Sequence, residues 1–302
     1  MIRICDDGWR ATVAPIGEHM KLVRHGLVGQ ERPGIIDSQG QVRDLGAVCE
    51  DFGPKFFASG GIQALRSVNL QSLPVVAAGT RLGSCVAQPG NFIAVGLNYV
   101  QHAIESKAEI PKEPVLFNKA PSCICGPNDV VVLPKNSTKG DWEVELALVI
   151  GKQAHYVDEA DALGHVAGYF VCNDVSERAF QLERGGQWVK GKMAPTFGPL
   201  GPWLVTPDEI ADVQKLRLWL ELNGKRVQDS NTSDMIFTVA RQISEISQFG
   251  ILQPGDVITT GTPQGVGLGM KPPMYLKPGD VMRLGIDGLG VQEQRVARWG
   301  EQ

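Results

Sequence analysis

Several things are missing from this chain of 302 residues, and each absence removes a class of function. No apolar run approaches the roughly 20 residues that cross a bilayer, and no basic start with an apolar centre marks a secretory signal, so a cytosolic, membrane-free protein is expected. There is no basic excess: the net charge of −4 leaves no footprint for nucleic acid or an anionic membrane. The six cysteines, Cys5, Cys49, Cys85, Cys123, Cys125 and Cys172, include no C-x-x-C pair and read as reduced thiols. Cys172 reads as core packing rather than a nucleophile. Repeats and low-complexity tracts are absent too. The run Gly265-Val266-Gly267-Leu268-Gly269 lacks the Lys-Ser/Thr of a phosphate-binding loop and the spacing and following helix of a dinucleotide fingerprint. It is expected to be a flexible loop.

What is present suits an α+β, β-rich protein. With 43 % hydrophobic and 21 % charged residues the chain can bury one large domain plus a small one. Its 36 glycines and 19 prolines fall between short apolar runs, as many turns between strands require. Residues 1–19 read as an N-terminal extension ahead of Met20, residues 20–88 as a small α/β domain, and residues 89–302 as a β-rich domain. The alternating run 216–225 ends in Asn223-Gly224, a hairpin signal, and 238–246 reads as an amphipathic helix.

The densest chemistry lies in Asp141-Trp142-Glu143-Val144-Glu145-Leu146-Ala147-Leu148-Val149-Ile150-Gly151. Strand alternation puts Glu143 and Glu145 on one face, starting about 6.6 Å apart. Two carboxylates in such apolar surroundings take up a proton or share a cation; on a half-buried strand they would instead face solvent. A second run, residues 169–176, is an apolar strand that leads into Asp174, with Ser176 as the expected N-cap of a following helix. Asp174 is then a strand-end ligand or a turn residue. Three carboxylates with no His/Cys set nearby favour a hard ion, Mg²⁺ or Mn²⁺, over Zn²⁺.

Ahead of these, His102 and Glu105 follow a strand-like run and stand three residues apart, neighbours on a helical turn. A carboxylate fixes an imidazole's tautomer, which suits a general base acting on water; a surface-helix pair has the same spacing. Lys192, between Gly191 and a Pro/Gly-rich turn, is either solvated or a point charge for an anion.

In order along the chain, Asn98-Tyr99-x-x-His102-x-x-Glu105, residues 114–119, Trp142-Glu143-x-Glu145, Asn173-Asp174-Val175-Ser176, Gly191-Lys192, residues 198–202 and Gly255-Asp256-x-Ile258-x-Thr260-Gly261-Thr262-Pro263 resemble the fumarylacetoacetate hydrolase family. The resemblance spans about residues 90 to 295. Segments 20–26, 181–186 and 271–273 look most like its 2,4-diketo-3-deoxy-L-fuconate and L-rhamnonate hydrolase branch.

The resemblance implies a fumarylacetoacetase-like mixed β-sandwich and β-roll, a homodimer, and cleavage of a carbon–carbon bond in a small diketo acid. It implies Mg²⁺ (with Mn²⁺ or Ca²⁺ as substitutes) on Glu143, Glu145 and Asp174, and His102 oriented by Glu105 to deprotonate water. Lys192 and Thr262 would bind the oxo-acid end and Arg178 and Gln181 the distal portion, while Tyr99 either binds or packs. Two departures stand out: Pro195 replaces a common aspartate, and Met193 a small residue. The same metal site would also serve a decarboxylase, tautomerase or C–N lyase, and a silent oxo-acid-binding oligomer would keep the fold alone.

Overall fold

Short apolar runs broken by Gly- and Pro-containing turns assemble into two main sheets. The computed structural model describes residues 20–301, so the expected extension over residues 1–19 lies outside the described residues. The strands used below are β1 (Lys21–His25), β2 (Arg32–Ile36), β3 (Val42–Asp44), β4 (Phe92–Gly96), β5 (Val115–Lys119), β6 (Val144–Ile150), β7 (Val166–Asn173), β8 (Gly198–Val205), β9 (Arg217–Leu222), β10 (Lys225–Asn231), β11 (Val257–Thr259), β12 (Val281–Ile286) and β13 (Gly290–Arg298). The larger sheet runs β3-β2-β1-β8-β7-β6-β11-β4-β5. Neighbours along it are antiparallel except the parallel pair β11 and β4. Its first three strands belong to the N-terminal region. That region continues the main sheet, because Lys21 and Leu22 pair with Val205 and Leu204.

The second sheet, β10-β9-β12-β13 plus the short Val131–Leu133, packs against the middle of the first. Three buried glutamines of the second sheet reach polar groups of the first. Gln228 Oε1 accepts from Val144 N at 3.0 Å, Gln292 Nε2 donates to Val171 O and Gly201 O, and Gln294 Oε1 accepts from Asn173 Nδ2. Buried amides persist only when so satisfied, and here they fix how the sheets sit on each other. The hairpin of β9 and β10 turns at Asn223 and Gly224, whose φ of 53° and 79° are the left-handed values that an Asn-Gly turn supplies. The helix Val239–Phe249 is capped by Thr238, whose hydroxyl accepts from Arg241 N at 3.1 Å.

Every residue of β6 is buried, so its apolar run is covered on both faces, not one. The strand begins at Val144, and Asp141 pairs separately with Ser176 in a two-stranded ribbon. Ser176 is therefore a strand residue, not the expected N-cap. Glu177 caps the helix Arg178–Leu182 instead, accepting from Ala179 N at 3.0 Å. Cys49, Cys85, Cys123, Cys125 and Cys172 carry free thiols. Burial, then the charge of Asp174, pushes the Cys172 thiol far above its ordinary range, as befits packing. Among the described residues no helix is long and apolar enough to cross a membrane.

Candidate active site

Antiparallel pairing of β6 with β7 sets Val144 opposite Asn173 and Glu145 opposite Cys172. Glu143, just before β6, and Asp174, just after β7, therefore meet at one end of the pair, and Asp174 N donates to Glu143 O at 2.9 Å. One oxygen from each of Glu143, Glu145 and Asp174 lies within 4.8 Å of the others, and all three residues are buried.

Three cations surround this cluster. Lys192 Nζ donates to Glu143 Oε2 at 2.5 Å and to Asp174 Oδ2 at 2.6 Å. Lys119 Nζ lies 2.5 Å from Asp174 Oδ1 as an ion pair and donates to Lys192 O at 2.8 Å. Arg178 donates from each of its three guanidinium nitrogens: to Asp141 Oδ2 at 2.8 Å, Glu143 Oε1 at 2.6 Å and Gln181 Oε1 at 3.0 Å. The two glutamates respond oppositely. Burial raises Glu143, but Arg178, Lys192 and His102 together outweigh it and hold that carboxyl well below the usual range. Burial, reinforced by Asp174 and Glu143, drives Glu145 well above it. Both hydrogen bonds to Glu145, from Thr259 Oγ1 at 2.5 Å and Gly261 N at 2.9 Å, fall on Oε2.

Those observations test whether a divalent ion fits. The donors are all oxygen, burial and the two neighbouring carboxylates raise one carboxyl, and an ammonium already bridges the other two. A hard cation such as Mg²⁺ or Mn²⁺ suits the set.

The helix Val100–Glu105 carries His102, whose Nδ1 is 2.9 Å from Glu105 Oε1. Glu105 also takes the Gly265 N–H, at 3.1 Å and 2.9 Å on its two oxygens. The loop after Thr262 is thus not the free loop its composition suggests. Asp141 accepts from Gly267 N at 2.7 Å and Leu268 N at 3.0 Å, and Trp142 Nε1 donates to Gly265 O.

A cavity of about 170 Å³ joins these parts; His102, Glu143, Glu145, Asp174, Lys192 and Thr262 line it. Arg178 and Gln181 line it as well, but Arg178 belongs to the carboxylate cluster, not to a distal subsite. The Thr262 hydroxyl donates to Val144 O at 3.0 Å and accepts from Gln228 Nε2 at 2.9 Å. As placed, it offers a ligand a lone pair rather than a proton. Tyr99 packs: it is fully buried, does not line the cavity, and its hydroxyl has no hydrogen-bond partner among the described residues. Met193 is half-exposed and outside the cavity lining, as is Pro195. Sequence reasoning missed Lys119 and Asp141 as members of the site. Lys119 ends the quoted run 114–119 and Asp141 opens the glutamate run, and charges at such places were the available signal.

Comparison with known proteins identifies the family. The model of the family described as "Fumarylacetoacetate (FAA) hydrolase C-terminal" matches residues 91–297. A Burkholderia multivorans relative, described no further than as a hydrolase, is 56 % identical over 282 residues, covering 92 % of this chain and all of its own. The fumarylacetoacetate hydrolase of Exiguobacterium antarcticum superposes with a TM-score of 0.82 at 34 % identity, over 92 % of this chain and 99 % of that one. The maleylpyruvate hydrolase of Sphingobium sp. SYK-6, solved with manganese(II) and pyruvate, does so with a TM-score of 0.76 at 29 % identity, over the same shares. The chain belongs to the fumarylacetoacetate hydrolase family.

Proposed function

We propose that the protein hydrolyses a carbon–carbon bond of a 2,4-diketo acid, releasing pyruvate and a second carboxylic acid, with a divalent cation, Mg²⁺ first, on Glu143, Glu145 and Asp174. The observation that carries this reading is one cavity lined by both the three carboxylates and His102 of the His102–Glu105 pair. When bound, the cation supplies Lewis-acid stabilisation of a developing enolate.

The chain's own groups do the rest. Glu105 accepts the Nδ1 proton of His102, leaving Nε2 to take a proton from water. The hydroxide equivalent adds to the C4 carbonyl. The C3–C4 bond then breaks, its electron pair passing to C3 and into the C2 carbonyl, while the C4 fragment leaves as a carboxylic acid. His102 returns its proton to C3, which completes pyruvate. Lys192 holds the 2-oxo acid's carboxylate as a point charge. Arg178 keeps Glu143 ionised and aimed.

The 2,4-diketo-3-deoxy sugar acids of the resembled branch are the first substrates to assay, together with simpler acylpyruvates. The purified protein is given each with Mg²⁺ or EDTA while enol absorbance and pyruvate are followed together. Metal-dependent pyruvate release is expected. Loss of enol signal without pyruvate would replace this reading with tautomerase or lyase chemistry, and metal binding with no turnover of any substrate would leave an oxo-acid-binding oligomer. The resemblance also supports a cytosolic homodimer, for which sedimentation should return twice the 32.6 kDa chain mass.

A further inference from the structure

The cavity is polar at one end only. Leading away from the carboxylates, Lys192 Nζ stands 5.2 Å from the centre of the Phe117 ring, and Phe117 meets Trp188 edge to face with centroids 5.5 Å apart. An aromatic wall thus starts at the lysine, with Val95, Leu97 and Leu182 as further apolar lining and Leu182 exposed at the surface. Gly96, at the end of β4, is what lets Trp188 lie there: a Cβ at that position would fall 2.4 Å from Trp188 Cζ3. The strand gives up a side chain so that the indole can press on its backbone.

Charge accounts for the rest. The cation-forming residues of the lining are His102, Arg178 and Lys192. Arg178 has an acceptor on each of its three guanidinium nitrogens, in Asp141, Gln181 and Glu143, and Lys192 is held between Glu143 and Asp174 at the carboxylate end. A second carboxylate on the substrate would lie against aromatic rings with no cation left without a carboxylate partner of its own, and a run of hydroxyls would find chiefly the Ser106 hydroxyl and the Gln181 amide. The carboxylate would be desolvated without a charge partner, and the hydroxyls with fewer partners than water gives them.

We propose that Trp188, set by Gly96 and backed by Phe117, determines specificity, selecting substrates whose acyl end is apolar and uncharged over dicarboxylic and polyhydroxylated ones. This rests on the diketo-acid reading and moves the substrate away from the sugar-acid branch.

Binding tests the wall independently of turnover. The Mn²⁺-loaded protein is titrated calorimetrically with pyruvate, 2-oxobutyrate, 2-oxopentanoate, 2-oxohexanoate and 2-oxoglutarate. Affinity is expected to climb by about fourfold per buried methylene. 2-Oxoglutarate should bind at least about tenfold more weakly than 2-oxopentanoate, the cost of an unpaired carboxylate. Trp188→Ala should flatten the series, and so should Gly96→Ala, which displaces the indole without deleting it; near-ultraviolet circular dichroism checks that each variant is folded. A flat series in the parent protein, tighter 2-oxoglutarate binding, or an unchanged slope in both folded variants would overturn the proposal. Failure to turn over any diketo acid would sink the reaction reading instead, with the wall still judged by the titrations.

Discussion

The site's two halves are held in contrasting ways. Glu143, Glu145 and Asp174 sit on or beside two central strands, buried, with Lys119, Lys192 and Arg178 packed around them. His102 and Glu105 lie on a helix of six residues whose Ile104 is 58 % exposed, tied to the cavity through the Gly265 N–H. The first half is rigid because moving any charge would strand another in the interior. The second depends on one ion pair and one loop, so fewer charged contacts hold it in place.

The sharpest way to break this contrast is Glu143→Gln. It should abolish both metal binding and turnover, and it should lower stability by about 3 kcal/mol, since Arg178 and Lys192 lose their shared anion; calorimetric titration and denaturant unfolding read the two effects. His102→Ala should cut kcat by about 10²–10⁴-fold while leaving Mn²⁺ affinity in place, and metal loss in that variant would mean that the halves are not separable. Glu105→Gln should cost less, about 10–100-fold in kcat. Its loop should also loosen, visible as faster amide exchange at Gly265 to Leu268.

The smallest effect is a pH dependence. Glu145 is raised in the fold, so its contribution to stability is full below the unfolded carboxyl's value of about 4.5 and fades as pH rises towards its folded value. Glu143 is lowered, so its contribution is present above that range and is lost on acidification. Metal-free protein should therefore lose melting temperature as pH climbs from 5 to 8, and Mg²⁺ should restore it. Cation affinity should rise by up to about tenfold per pH unit as Glu145 gives up its proton. Titrations in buffers of different ionisation enthalpy count that proton, and a count of zero would contradict the assignment.

The two halves also differed in how far the sequence disclosed them. Glu143 and Glu145 show by alternation and Asp174 by its place at a strand end, because period-two geometry is local. The His102–Glu105 contact is visible for the same reason, at helical spacing. Lys119 is not, since its link to Asp174 crosses 55 residues and depends on the order of strands. Arg178 was expected to reach outward, but its direction is set by Asp141 and Glu143, and only the assembled fold brings them together. The helix start was misplaced by one residue because Ser176 is claimed by pairing with Asp141, a tertiary demand that overrides capping preference.

The glutamines that bridge the two sheets carry one more consequence. Gln228 holds the amide of Val144, the residue between the two glutamates, and also donates to Thr262. The spacing of Glu143 and Glu145 is thus gauged in part from the opposite sheet. A substitution at Gln228 would therefore reach the carboxylate cluster from the far sheet, by way of the strand between the two glutamates, without altering a single charged group.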